Sequence, residues 1–267
     1  MEKNPFSWND IPNQYSNAIR SQAFIGEDLL DTISFHETDR VLDAGCGVGN
    51  LTLEIARRVP KGSVTGMDIS PSRIGECEKL FQREQVNNGS FYDGRIEDLS
   101  EEESYNIIFT NAVLQWISSM DLAARNFYRA LCPCGVLAIQ FPLLNDRHPM
   151  MKFPHRAISR MGLEPCFEDF VFPSYVPTEE ELRNVLEDAG FGNILIRPST
   201  TTFSFPTPEK LFDHFKNVGY SRFADPLPEE QREAFLLQVL EEIKKDYDEH
   251  VPQYCDRYFA YAVKGKE

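Results

Sequence analysis

The stretch VLDAGCGVGN, residues 41–50, limits the possible folds more than any other part of the chain. A short apolar run leads into Gly45, Gly47 and Gly49, and a helical pattern, NLTLEIARRV, begins immediately afterwards. Strand, glycine turn and helix in that order is the opening unit of a parallel sheet whose turn can bring bare backbone against a ligand. The first half of the chain keeps this rhythm. GSVTGMD, GSFYDG, YNIIFTNAV and GVLAIQF read as further strands. Between them, SPSRIGECEKLFQREQ opens with Ser70 as N-cap and Pro71 at the first helical position, and DLAARNFYRAL has helical spacing. The fold expected is α/β, a doubly wound, mostly parallel sheet with helices on both faces.

The rhythm breaks after Phe141. Residues 143–177 are proline-rich and show no strand, so they read as an inserted helical cap with a helix near 149–162. TEEELRNVLEDAGF then carries a Thr178/Glu181 capping box and a terminal glycine. NILIRPSTTTFSF reads as strand, turn, strand. Two helices follow, in TPEKLFDHFKNVG and LPEEQREAFLLQVLEEIKKDYDEH, and YFAYAVKG is the last strand. The expected organisation is an N-terminal helical segment over 1–34 and a ligand-binding core over 35–142. The cap spans 143–177, and the C-terminal part of the core covers 178–267.

Charge narrows the partners. Lys and Arg total 27 against 42 Asp and Glu, a net charge of −15, a field that repels nucleic acid and anionic lipid. No apolar run is long enough to cross a bilayer, and MEKNPFSWND lacks the apolar segment of a secretory signal. The six cysteines lack CxxC spacing, so reduced thiols in a cytoplasmic setting are expected and no metal site. Cys132-Pro-Cys134 as a metal or redox pair is the alternative, and it needs further ligands nearby.

The glycine loop has competing readings. It lacks the Gly-Lys-Ser/Thr ending of a phosphate-binding loop, and Asn50 occupies the place of the third glycine of a dinucleotide fold. A plain structural turn is the bland alternative. Two acids shift the balance: Asp43 before the loop and Asp68 at the end of the next strand. Asp68 as a simple helix N-terminal acid remains the other reading. With VLDAGCGVGN, GMDIS, YNIIFTNAVLQW, LCPCGVLAIQF and EELRNVLEDAGF in that order, the chain resembles the class I S-adenosylmethionine-dependent methyltransferases over roughly residues 35–141 and 178–264. The resemblance implies a Rossmann-like seven-stranded sheet and S-adenosyl-L-methionine as cofactor. It places that cofactor on Asp43, Gly45, Cys46, Gly47, Gly49, Asp68, Ile69, Ile96, Glu97 and Asn111, with Tyr15 closing over it. A carboxylate at Asp68 suits two ribose hydroxyls, and acids suit a cationic sulfonium. The chain departs from the family pattern at Gly94-Arg95, where an acid commonly follows the glycine, at Asn106 and at Cys134. Asp93, Glu97 or a backbone carbonyl is left to contact the adenine amino group.

The methyl acceptor is expected beyond the carboxyl ends of strands four and five, near Asn111, Leu114, Gln115, Trp116, Gln140 and Phe141. No acid stands there to act as a base, and His148 and His155 are the available alternatives. A carboxylate acceptor needs no base. NAVLQW, AIQFP and the C-terminal FSFPTPEKLFDHFKNVG are similar to trans-aconitate 2-methyltransferases and, more loosely, to malonyl-carrier-protein and juvenile hormone acid methyltransferases, all of which methylate carboxylates. The reaction expected is therefore O-methylation of a small anionic molecule, with C- or N-methylation, or a silent cofactor-binding module, as alternatives. Gln115, Trp116 and Arg156 are the candidate catalytic residues. Arg156 is chosen because Lys152, Arg156 and Arg160 recur at i, i+4 and need a negative counterpart. That counterpart is an anionic substrate or the acids Glu164, Glu168 and Asp169, with plain solvation as the remaining alternative. The sequence does not fix the number of subunits.

Overall fold

A computed structural model of the chain describes residues 26–144 and 148–266. Its centre is a seven-stranded sheet in the order β3-β2-β1-β4-β5-β7-β6. The strands are β1 (Arg40–Ala44), β2 (Ser63–Asp68), β3 (Gly89–Asp93), β4 (Tyr105–Asn111), β5 (Leu131–Pro142), β6 (Gly192–Phe205) and β7 (Val251–Val263). Only β7 runs antiparallel to its neighbours, β5 and β6. The apolar runs of the sequence are explained by cover on both faces. Val41, Ile107, Phe109 and Ala138 join one core layer, and Leu42, Ile108, Leu137 and Ile139 join the other. Each of the larger side chains contributes roughly 1.5–3 kcal/mol by leaving water, and Ala138 less.

Helix α1 is described over residues 26–30. With α2 (Asn50–Arg58), it supplies Leu29, Leu30, Leu53 and Ile55 to the first layer. Helix α3 (Pro71–Glu84) flanks β2 and β3, with Pro71 at its start as expected. On the second face lie α4 (Met120–Ala130) and α6 (Glu179–Asp188). Both halves of the Thr178/Glu181 capping box are formed.

Two stretches differ from the sequence reading. Residues 192–205 are one strand of 14 residues, not strand, turn, strand. Pro198 and the Ser-Thr run read locally as a turn. In the fold this strand lies at the sheet edge, where a missing N–H costs no ladder bond. β7 correspondingly starts at Val251, earlier than YFAYAVKG suggests. The cap helix α5 (Pro149–Met161) forms where expected and ends at Gly162, whose φ is 65°. Its apolar face is shared with the chain between β6 and β7. Phe153, Ala157 and Ile158 pack with residues of α7 (Pro208–Phe215), α8 (Ser221–Ala224) and α9 (Glu229–Asp246) in a separate core cluster.

Candidate functional site

The site is built where β1, β2 and β4 end. Gly45, Gly47 and Gly49 have φ of 87°, 57° and 85°, the left-handed region that side chains other than glycine enter at a cost. The backbone N–H groups of Gly45 and Cys46 both donate to the Met67 carbonyl, at 2.7 and 2.9 Å, which ties the loop to the end of β2. A Cβ on Gly45 would sit 2.2 Å from a Val113 methyl carbon, whereas one on Gly47 would point into open space. Gly45 is therefore required by packing as well as by φ, and Gly47 leaves the upper side of the loop clear for a ligand.

Both predicted acids are buried beside this loop. Asp43 is 2% exposed and accepts a 2.6 Å bond from Thr52 Oγ1. Burial pushes its carboxyl up to about 7, opposed by the Thr52 bond and assisted by the nearby Asp68 charge. A positive ligand beside these two carboxylates would favour the ionised state. Asp68 accepts from the Gly47 N–H and the Ser70 N–H, each at 3.0 Å, and Arg73 Nη1 lies 3.8 Å away. Each carboxylate oxygen keeps a second lone pair after these bonds. Asp68 thus holds the loop in shape and retains the capacity to accept from hydroxyls. Ile69, next in the chain, is 43% exposed and provides an apolar surface on which a flat base can lie. Cys46 packs inward, with its sulfur 3.8 Å from that of Cys77.

The corner after β3 is organised by Glu97. Its carboxylate accepts from the Ser118 N–H (3.1 Å), the Ser118 hydroxyl (2.8 Å) and Arg95 (3.1 Å). Burial alone would raise its carboxyl, but these bonds and charges outweigh that and hold it below the usual range. Asn126 Nδ2 donates to the Ile96 and Glu97 carbonyls, and the Ile96 side chain is buried. Ser118 and Asn126 carried no signal in the sequence, because their partners lie 21 to 30 residues away. Asn106, which departs from the family pattern, accepts the Arg40 N–H with its side-chain oxygen at 2.9 Å.

On the acceptor side, Asn111 ends β4 in register with Gln140 of β5. The start of α1 lies over it: a Cβ on Gly26 would be 3.1 Å from Asn111 Nδ2. Gln115 and Gln140 are 4% and 2% exposed, and the amide Oε1 of each has no partner among the described residues. Trp116, half-buried, contacts Phe172 with ring centroids 6.2 Å apart, and the Tyr175 N–H donates to the Gln115 carbonyl at 2.9 Å. The segment after α5 therefore docks on the turn that carries Gln115 and Trp116. Tyr15 lies outside the described residues.

Arg156 sits on α5 facing α9. It donates to both oxygens of Asp246, at 2.8 and 2.9 Å, and Lys152 pairs with the same carboxylate at 2.6 Å. Arg160 pairs with Glu242 at 3.6 Å. The negative counterpart that the basic row demands is thus supplied by α9, about ninety residues further along the chain and not by the acids near residue 165. Cys132 donates to the Glu103 carbonyl, and among the described residues no three His, Cys, Asp or Glu side chains gather as a metal site. No described helix is long and apolar enough to cross a membrane.

Two buried acids, a clear glycine loop and an exposed isoleucine fit S-adenosylmethionine: hydroxyls for Asp68, a base for Ile69, positive charge near Asp43. Comparison with known proteins agrees. Residues 35–190 match a family described as a methyltransferase domain. Trans-aconitate 2-methyltransferase from Escherichia coli O1:K1 is 25% identical over 249 residues, covering 90% of each chain. The crystal structure of the YcgJ protein from Bacillus subtilis superposes with a TM-score of 0.61 at 16% identity, covering 93% of this chain and 100% of that one. Phosphoethanolamine N-methyltransferase 2 from Haemonchus contortus, solved with S-adenosyl-L-methionine, gives 0.59 at 17% identity, covering 99% and 61%. These last two likenesses concern the fold. Matched over more than half its length, the chain belongs to the methyltransferase-domain family and is an S-adenosylmethionine-dependent methyltransferase.

Proposed function

We propose that the enzyme O-methylates a carboxylate of a small anionic molecule. The observation that carries this reading is the character of the acceptor end of the sheet. Asn111, Gln115, Trp116 and Gln140 offer amides and an indole, and none of them can take a proton at neutral pH. His148 does not fill that role. Its Nδ1 accepts the Met150 N–H as the N-cap of α5, so the proton of the neutral ring sits on Nε2 and no lone pair is free. His155 is on the exposed side of α5. A hydroxyl or an ammonium needs a base before it can attack, whereas a carboxylate is already ionised.

S-adenosylmethionine supplies an electrophilic methyl group on a sulfonium. The protein's part is alignment and exclusion of water. The carboxylate oxygen forms the new C–O bond as the S–CH3 bond breaks, and no proton has to move. In this reading the Gln115 and Gln140 amides present their Nε2 N–H groups to the acceptor's oxygens. Trp116 walls the site under the segment around Phe172. The relationship to trans-aconitate 2-methyltransferase supports the same class of acceptor.

The test is transfer of a labelled methyl group to trans-aconitate and to the small-molecule fraction of a cell extract. Ester formation predicts that mild base releases the label as methanol. Label that survives base replaces this reading with C- or N-methylation.

A further inference from the structure

The antiparallel course of β7 brings its first residues to the carboxyl ends of β4 and β5, where the acceptor must lie. Arg257 stands there, in register with Pro142 on one side and Ser199 on the other. Residues opposite one another in a ladder share a face, so Arg257, Gln140 and Asn111 look the same way across the sheet. Arg257 and Gln140 are diagonal neighbours, about 7–8 Å apart at the backbone.

The side chain is 1% exposed, yet its hydrogen bonding is half made. Nη2 donates to Asp28 of α1 and to Thr201 of β6. Nε and Nη1, which carry three of the five guanidinium N–H bonds, have no partner among the described residues. The Phe259 ring lies 5.1 Å below the guanidinium carbon, and Thr201 is itself held by Asp28 at 2.9 Å. The group is thus fixed in place with its remaining donors unused. Buried charged donors without partners are costly, so a fold that keeps them supplies an acceptor from elsewhere. The Asp28 carboxylate already pairs with the charge, so the unused N–H groups call for further acceptors, which an anionic ligand would supply.

We propose that Arg257 anchors a carboxylate of the acceptor. The anchor is offset from the transfer site by one strand and about two residues. The acceptor therefore carries at least two carboxylates, one held by Arg257 and a second presented for methylation, which makes it a di- or tricarboxylic acid. This rests on the carboxylate reading of the reaction and adds the residue that selects among acids.

The experiment is calorimetric titration of the protein saturated with S-adenosylhomocysteine, using trans-aconitate as the polycarboxylate probe and crotonate as the monocarboxylate control. Wild type binds trans-aconitate the more tightly. Arg257→Lys keeps the charge but loses the planar donors, and it weakens trans-aconitate at least about tenfold while S-adenosylhomocysteine binds within about twofold of wild type. Because Arg257→Lys alone can disturb folding, the double variant Asp28→Asn/Arg257→Gln, which orphans no carboxylate, is measured beside it and loses the same preference. The proposal is overturned by equal trans-aconitate binding in both variants, by a wild type that binds crotonate as tightly, or by a loss of binding in Arg156→Ala in place of the Arg257 variants. The two readings fail separately. Base-labile product with binding independent of Arg257 removes the anchor and leaves the carboxylate chemistry, whereas Arg257-dependent binding with base-stable product does the reverse.

Discussion

Substituting Gly45 by alanine tests the account of the cofactor loop. Two costs are predicted from its geometry. The first is conformational: φ of 87° places a β-carbon in the left-handed region, worth about 1–2 kcal/mol. The second is steric. The new methyl would lie 2.2, 2.8 and 3.0 Å from the two methyl carbons and the Cβ of Val113, a stiff β-branched side chain, and such overpacking costs roughly 1–3 kcal/mol. The smaller entropy of the unfolded alanine chain returns about 0.4–1 kcal/mol. Gly45→Ala should therefore lose roughly 1–4.5 kcal/mol of stability. In a Val113→Ala background the steric part disappears and only the strain remains, about 1 kcal/mol after the entropy gain. Urea unfolding of the four proteins of this cycle, with and without saturating S-adenosylhomocysteine, measures both quantities. An equal cost of Gly45→Ala in the two backgrounds would refute the contact with Val113. A cost near zero in both would refute the strained conformation.

Three further outcomes follow from the same physical reasoning. Asp43, with its carboxyl raised to about 7 by burial, binds its proton more tightly when folded, so that part of the stability is present below pH 4 and is lost as pH rises through 7. Asp43→Asn should flatten this fall in the free protein, as read from unfolding midpoints across that window. His148 is pushed down to about 4 by burial, so its contribution has the opposite sign, present above pH 6.5 and lost on acidification towards 4. His148→Asn retains an N-cap acceptor and should make acid unfolding less steep, and an unchanged profile refutes the buried neutral ring. Cys134 adopts φ of 61° at a position where the resemblance expects glycine. Cys134→Gly should accordingly raise stability by up to about 1 kcal/mol, and a loss in thermal unfolding contradicts the strain.

The legible parts of the site were those that depend on near neighbours in the chain. The left-handed turns at Gly45, Gly47 and Gly49, the placement of Asp43 and Asp68 at strand ends, the start of α3 at Pro71 and the capping box of α6 are all set within a few residues, and the structure has each of them where the pattern put it, although the Ser70 side chain makes no capping bond to α3. Errors arose where a local signal met a long-range partner. Pro198 and its threonines spelled a turn, but pairing with β7 drew them into an edge strand. The basic row on α5 called for an anion, and the carboxylates that meet it come from α9.

Sequence by itself determined the alternation of strands and helices, the glycine loop and its two acids, because side-chain periodicity and backbone φ are local quantities. The tertiary structure alone decided that Ser118 and Asn126 fix the corner around Glu97, that Gln115 and Gln140 are buried with amide oxygens unpartnered among the described residues, and that Arg257 closes on Asp28 across 229 residues of chain. Those contacts follow from strand order and from the reversal of β7, and hydrophobic periodicity is the same whichever neighbour a strand takes.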